Sequence, residues 1–522
     1  MIQRYLTLPS FKSARRDVPA GIVVFLVALP LCLGIALASG APLFAGIIGG
    51  VVGGVIVSLL SGSELSVSGP AAGLTVIVSA AIIKFGGFQA FTIAVMLSGL
   101  LQLVFGLLRA GTIGDYIPNS VIKGMLAAIG IVIILKQIPH ALGEDRDFLG
   151  DEAFEQADHN NTFTEMLSSF LAPSPGAVLI TVISLAVLIL WERPALRQQA
   201  WTTWLPGPLV CVTLGTLINE AFGQWLPSWQ LTAAKFHVVQ LPVAGSVREF
   251  FGMFTLPQFG RLLHMDTWIV AGTIALVGSI ETLLCIEATD KLDPEKRLSD
   301  PNRELRAQGI GNFISGLLGG LPITSVIVRS SANVYAGGRT RLACFIHGAV
   351  MLFAAAFLAS LINRVPLAAL ASVLLVVGYK LSSRKIILEM WAKGWTQFIP
   401  FMVTLVAIVF TDLLKGIAIG LLTSVFFVIR SNHHAAITLV NQDENWLLRF
   451  NKDMSFVNKS ELKRRLRRVP DGSVVIVDGA KALYVDGDIY ETLKEFETAA
   501  SFRRIRLEYH NFFNKQLASR TH

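Results

Sequence analysis

The sequence is short of charge. Asp, Glu, Lys and Arg make up 15% of its 522 residues, where an ordinary soluble chain carries about 25%, and residues 18–56 hold none. That excludes a water-soluble fold as the main architecture. Cysteine is scarce as well. Cys32, Cys211, Cys285 and Cys344 stand singly in apolar segments without CxxC or histidine spacing, which excludes a disulfide framework and a zinc site. Neither clustered acidic metal ligands nor a nucleophile with its base falls at membrane depth, so an enzyme is not expected. The first apolar run has no clear small-residue cleavage site and continues directly into a second, so it reads as a span rather than a removed leader.

Hydrophobic residues, in contrast, make up 53% of the chain. They fall into about fourteen membrane-length or shorter runs, from residues 18–38 to 413–429. Two sets of about seven lie on either side of a Trp- and Pro-bearing stretch. The expected layout is an N-terminus at 1–17, a first set of spans at 18–222, a connection at 223–265, a second set at 266–430 and a tail at 431–522.

The net charge of +8 is carried mostly between the runs, where Lys and Arg report topology rather than nucleic-acid contact, and no nucleic-acid partner is expected. With the N-terminus inside, the inner loops hold Lys291, Lys296, Arg297, Arg303 and Arg306, then Arg339 and Arg341, then Lys380, Arg384, Lys385 and Lys393. The acidic loop at 141–174 falls outside. An even number of spans in a bacterial plasma membrane follows, with both termini cytoplasmic. The sequon at Asn160, Asn161 and Thr162 is not expected to be used.

Beyond Arg430 the pattern becomes that of a small α/β domain, with strands at 446–450, 473–477 and 504–509 and helices at 461–468 and 489–499. Asn458 with Glu461, and Asp488 with Glu491, have helix-capping spacing. The basic helix with Lys463, Arg464, Arg465, Arg467 and Arg468 suits either anionic lipid headgroups or plain solvent.

Two segments open oddly for spans. Ser66-Val-Ser-Gly-Pro-Ala-Ala-Gly73 and Gly319-Gly-Leu-Pro-Ile-Thr-Ser325 each precede a helix too short to cross the bilayer, in the third and tenth positions. Such interrupted segments at matching places in two halves point to a transporter site between inverted repeats. A half-helix beginning in mid-membrane presents unpaired N–H groups and a positive dipole end, and two facing ends hold an anion. The candidate anion site comprises Ser68, Gly69, Ala71, Ala72, Thr324, Ser325 and Val326, with Ser68, Thr75, Thr324 and Ser325 as hydroxyl donors. Charges inside spans mark function. Glu281 is the candidate coupling carboxylate, for a proton or Na⁺, and Arg329 its electrostatic partner or an attractor of the anion. No other metal and no organic cofactor is expected. Lys123, Lys136 and Asp412 lie near segment ends, where they are expected to snorkel.

At these residues the chain resembles the SulP family of anion transporters. The matching stretches are Pro30-Leu-Cys-Leu-Gly-Ile-Ala-Leu-Ala-Ser-Gly40, residues 66–73, Gly278-Ser-Ile-Glu-Thr-Leu-Leu284, and Leu321-Pro-Ile-Thr-Ser325 with Arg329, Ser330 and Gly337-Gly-Arg-Thr340. The resemblance implies an α-helical polytopic fold of two inverted seven-segment repeats. It further implies a core domain that rides like an elevator past a gate domain, a homodimer, and a C-terminal STAS domain, here short. It places Leu31 and Ile35 on the wall of the anion site. In relatives that import bicarbonate with sodium, the eighth segment offers Asp and a hydroxyl one turn later; here Glu281, followed by Thr282, and Cys285 stand there, which favours a proton or exchange. The implied function is secondary transport of bicarbonate or sulfate, by symport or exchange. A passive channel and a nucleobase carrier of related fold are the alternatives.

Overall fold

The computed structural model describes residues 13–145, 161–171, 173–197, 199, 202, 205–433, 436–442 and 445–511. The chain divides into two compact units, Met1–Leu421 and Leu422–His522. Among the described residues, fourteen helices lie at the positions expected of the apolar runs. The first half holds α1 (Ala14–Ala38), α2 (Leu43–Val52, extended to Leu60 through a π turn), α3 (Thr75–Phe85), α4 (Phe88–Leu107), α5 (Asn119–Leu142), α6 (Pro175–Trp191) and α7 (Gly207–Trp225). The second holds α8 (Met265–Leu292), α9 (Pro301–Leu318), α10 (Ile327–Ala336), α11 (Arg341–Phe357), α12 (Leu367–Leu381), α13 (Trp395–Phe410) and α14 (Leu413–His433). Among the described residues six helices are long and apolar enough to cross a membrane alone, or eight if each bent pair counts as one span. The shorter apolar helices include α13, α14 and the α3 segment.

The buried side chains of the first unit gather around two helix groups. One is centred on α5, α6, α7, α12 and α13. The other is centred on α1 to α4 with α8, α9 and α11. Within the second group α4 and α9 touch backbone to backbone. A Cβ on Gly99 would lie 2.3 Å from the amide nitrogen of Phe313, and one on Gly316 would lie 2.3 Å from that of Met96. Small residues permit this close approach where helices must associate without water.

The connection between the halves is ordered against both groups. The Val239 amide donates to the Val365 carbonyl and Leu367 to that of His237, while Phe250 and Phe254 pack edge-on against Phe44. Beside them the buried Asp145 accepts from His140 Nδ1 and His237 Nδ1, each at 2.6 Å. Burial raises the pKa of Asp145, but the two imidazole bonds outweigh it and hold the carboxyl below its ordinary value. A depressed carboxylate stabilises the fold above about pH 4 and loses that contribution as pH falls through its folded value. Asp145→Asn is therefore expected to lower stability near pH 7 by on the order of 2 kcal/mol. The variant should also lose less stability than the parent on acidification below pH 4. Thermal unfolding across pH checks both.

Two expectations change at the segment ends. Lys136 is buried on α5 rather than snorkelling, because it falls almost two turns before the end of a long helix. Asp412 accepts from the Lys415 amide at 2.8 Å and so serves the start of α14. Lys123 pairs with Glu389.

The second unit contains a four-stranded sheet in the order β3 (Ile437–Gln442), β4 (Asn445–Phe450), β5 (Val474–Asp478), β6 (Arg506–His510). β3 and β4 are antiparallel and the remaining neighbours parallel. Helices α15 (Lys459–Leu466) and α16 (Gly487–Phe502) contribute Leu462, Leu466, Ile489 and Leu493 to its core. The caps sit upstream of the expected ones. Ser455 and Asn458 form a capping box before α15, and Asp486 caps α16.

Candidate anion site

The two interrupted segments meet. Ser68–Pro70 (β1) and Ile323–Ser325 (β2) form an antiparallel ribbon with Ser68 opposite Ser325, Gly69 opposite Thr324 and Pro70 opposite Ile323. A 3-10 turn at Ala72–Leu74 then leads into α3, and Val326 leads into α10. The ribbon thus brings the N-termini of two half-helices together, each with first-turn N–H groups that lack intrahelical acceptors. Ala72, Gly73, Thr75 and Val326 remain partly accessible at these ends, whereas Ser68, Ala71, Thr324 and Ser325 are buried.

Local chemistry holds the ribbon in place. The Val326 amide donates to the Val67 carbonyl at 2.9 Å, and the Val67 amide to Ser330 Oγ at 3.0 Å. Ser66 and Ser325 share a hydroxyl hydrogen bond. The Ser325 amide donates to Thr282 Oγ1 at 3.3 Å, which ties β2 to α8. Behind the ribbon, α9 presents a ladder of buried polar side chains. Gln308 Nε2 donates to Ser68 Oγ at 2.6 Å and to Glu304 Oε1 at 3.0 Å. Asn312 clamps the Ile323 backbone from both sides, at 2.7 and 2.8 Å, and Ser315 donates to the Leu321 carbonyl at 2.6 Å. These α9 residues were not expected. Their spacing of four, four and three repeats on one helix face, and that polar stripe is the signal that points to them.

Arg329 lies against the ribbon, fully buried. A Cβ on Gly69 would sit 1.8 Å from its Nη1, so only glycine leaves room for the guanidinium. Nη2 donates to the Pro70 carbonyl at 3.2 Å, while Nε and Nη1 have no hydrogen-bond partner among the described residues. The Cys32 thiol lies close enough to the guanidinium to interact with it as a weak hydrogen-bond partner, and the His347 ring lies within electrostatic reach. The Oγ1 of Thr75, also buried, lacks a partner too. A full positive charge out of water without an acidic partner is costly, and unpaired buried donors add to that cost.

Glu281 occupies a different place. Its carboxylate lies by the turn that opens α3, where a Cβ on Gly73 would be 3.2 Å from Oε2 and 3.3 Å from Oε1. That turn is the positive end of a helix. Cys285, one turn on, is buried. Of the α1 residues, Leu31 packs in one cluster with Ile327 and Val328 of α10, and Ile35 in another with Leu74 and Val78 at the start of α3. An anchor absent from the sequence reading is Asp17 of α1, which accepts from the Arg339 and Thr340 amides at 2.6 and 3.1 Å ahead of α11.

Comparison with known proteins now decides the family. The pattern of the Sulfate permease family matches residues 15–407. The chain belongs to that family. A putative sulfate transporter of Bacillus subtilis, YvdB, is 30% identical over 84% of this chain and 78% of its own length. The bicarbonate transporter BicA of a Picosynechococcus strain is 29% identical over 70% of this chain and 62% of that protein. The transmembrane domain of a cyanobacterial BicA shares the fold with a TM-score of 0.54 at 24% identity, covering 80% of this chain and 98% of that one. The structure of SLC26A9 does so with a TM-score of 0.69 at 16% identity, covering 99% and 87%. The chain is therefore a multi-pass membrane protein of an inorganic-anion transporter family, not an enzyme family.

Proposed function

We propose that this sulfate permease family member is a secondary active transporter of a small oxyanion, sulfate or bicarbonate, bound where α3 and α10 begin. The observation that carries this reading is the buried Arg329, whose Nε and Nη1 have no oxygen or nitrogen acceptor among the described residues, beside a ribbon that brings two half-helix ends together. A compact anion offsets that charge and accepts from the helix N–H groups and the Thr75 hydroxyl. A nucleobase, by contrast, is larger and neutral: its carbonyls can accept hydrogen bonds, but they leave the buried guanidinium charge unbalanced.

For coupling we favour a proton on Glu281. Sodium takes hard oxygen ligands of the kind other hard cations use. Here Glu281 offers carboxylate oxygens and Thr282 a hydroxyl that already accepts from the Ser325 amide, but Cys285 offers a soft sulfur. The helix group containing α1 to α4, α8, α9 and α11, with the α10 half-helix tied to it through the ribbon, carries the site as a body past the group built on α5 and α12, and two copies of the chain assemble. The second unit is a short STAS-like domain on the cytoplasmic side.

The test is uptake by the purified protein in liposomes, with labelled sulfate and labelled bicarbonate each offered under imposed proton and sodium gradients. Ala71→Leu and Ser325→Leu fill the half-helix ends and are expected to cut uptake at least a hundredfold while the protein elutes as the parent does on size exclusion. Full transport by either folded variant would place the site elsewhere.

A further inference from the structure

We propose a second binding site, for an anionic glycerophospholipid, in the groove between α6 and α12. The groove encloses about 690 Å³, and its wall consists of Leu185, Leu188, Ile189, Leu375, Val376 and Tyr379. Ile189 and Tyr379 are exposed, at 62% and 74%, so the groove opens outward from the helix pair. Along two membrane helices that outward face meets hydrocarbon. An apolar lining offers no partners that would hold water, and an acyl chain matches it.

At one end the lining becomes charged, with Glu192, Arg193 and Lys380. Lys380 is neutralised by an ion pair with Glu192 and lies over the Tyr335 ring, 5.4 Å from its centroid. Arg193 has no acidic partner among the described residues, and the stretch from 194 to 207 contains neither Asp nor Glu. Among the described residues that line the mouth, Arg193 is therefore the charge left uncompensated. Trp191, whose Nε1 donates to the Leu205 carbonyl at 3.1 Å, stands beside it, as aromatic residues do where hydrocarbon gives way to headgroups. A guanidinium at that level engages a phosphate with paired hydrogen bonds. Apolar wall and unpaired Arg193 together select a ligand with a long chain and a net negative headgroup. Phosphatidylglycerol fits, whereas the choline cation of phosphatidylcholine cancels the attraction.

The test uses the purified full-length protein in mild detergent, titrated with phosphatidylglycerol or with phosphatidylcholine of the same chains, and read by native mass spectrometry and melting temperature. Phosphatidylglycerol is expected to be retained at least tenfold better and to raise the melting temperature where phosphatidylcholine does not; inorganic phosphate alone should do nothing. Arg193→Gln, at an exposed position, should erase the preference without changing expression. Ile189→Trp, which fills the groove, should reduce retention of both lipids. Equal retention of the two lipids by the parent, or an undiminished preference in Arg193→Gln, overturns the proposal. So does an Ile189→Trp variant that turns a dimer into a monomer with lipid retention unchanged, which would make the groove an interface between copies.

Discussion

Gly69→Ala is expected to abolish anion binding in a protein that still folds. The added methyl would lie 1.8 Å from Arg329 Nη1 and 3.0 Å from Cζ, far inside any contact distance, and Gly69 is held in register opposite Thr324. The guanidinium must give way. The site then loses its charge from the place where the half-helices converge, and affinity should fall at least a hundredfold, about 2.8 kcal/mol. Arg329→Ala should cost a similar amount. Because the glycine acts through the arginine, Gly69→Ala in an Arg329→Ala background should add little, and a double-mutant cycle measures that coupling. Labelled-anion binding and counterflow in liposomes are the readouts. Parental affinity in Gly69→Ala would show that Arg329 does not serve the anion.

Glu281→Gln is expected to leave anion exchange running and to stop accumulation against a gradient. The amide keeps the size of the side chain by the Gly73 turn and some of its hydrogen bonding, but it cannot take up and release a proton over the working range. Counterflow should stay within a few-fold of the parent, while uptake driven by an imposed proton gradient falls to the level of empty liposomes. If Arg329 serves the anion and Glu281 the proton, Arg329→Ala should weaken affinity without removing the response to the gradient. The two variants thus separate along different axes. Gradient-driven accumulation at the parental rate in Glu281→Gln would reduce the carboxylate to a structural group.

The half-helices were legible because Gly and Pro before a short apolar run have local physical meaning, and Glu281 and Arg329 because charge inside a span is rare. What was not legible depends on partners far away in sequence. The pairing of Ser68 with Ser325 spans the two halves, and no local periodicity encodes it. Gly69 stands in the candidate anion site by its motif, but its role in making room for a guanidinium shows only once Arg329 is seen against it. What surrounds each charge was not legible: Arg329 lies against Gly69 of β1, and Glu281 beside Gly73 at the start of α3. The α9 ladder at Glu304, Gln308, Asn312 and Ser315 was present as a stripe, but its targets are mostly backbone groups of other segments. In the tail, strand β3 escaped notice because Ile437–Gln442 alternates weakly and depends on β4 for its definition.

The ribbon also bears on how the chain can be divided. Each half supplies one strand and one half-helix, and the arginine of the second half rests on the glycine of the first. Expressed alone, either half would carry an open strand edge into the bilayer, where unpaired backbone groups find no water to replace the missing neighbour. Split between the halves, the chain is therefore expected to need both pieces together before the ribbon can close.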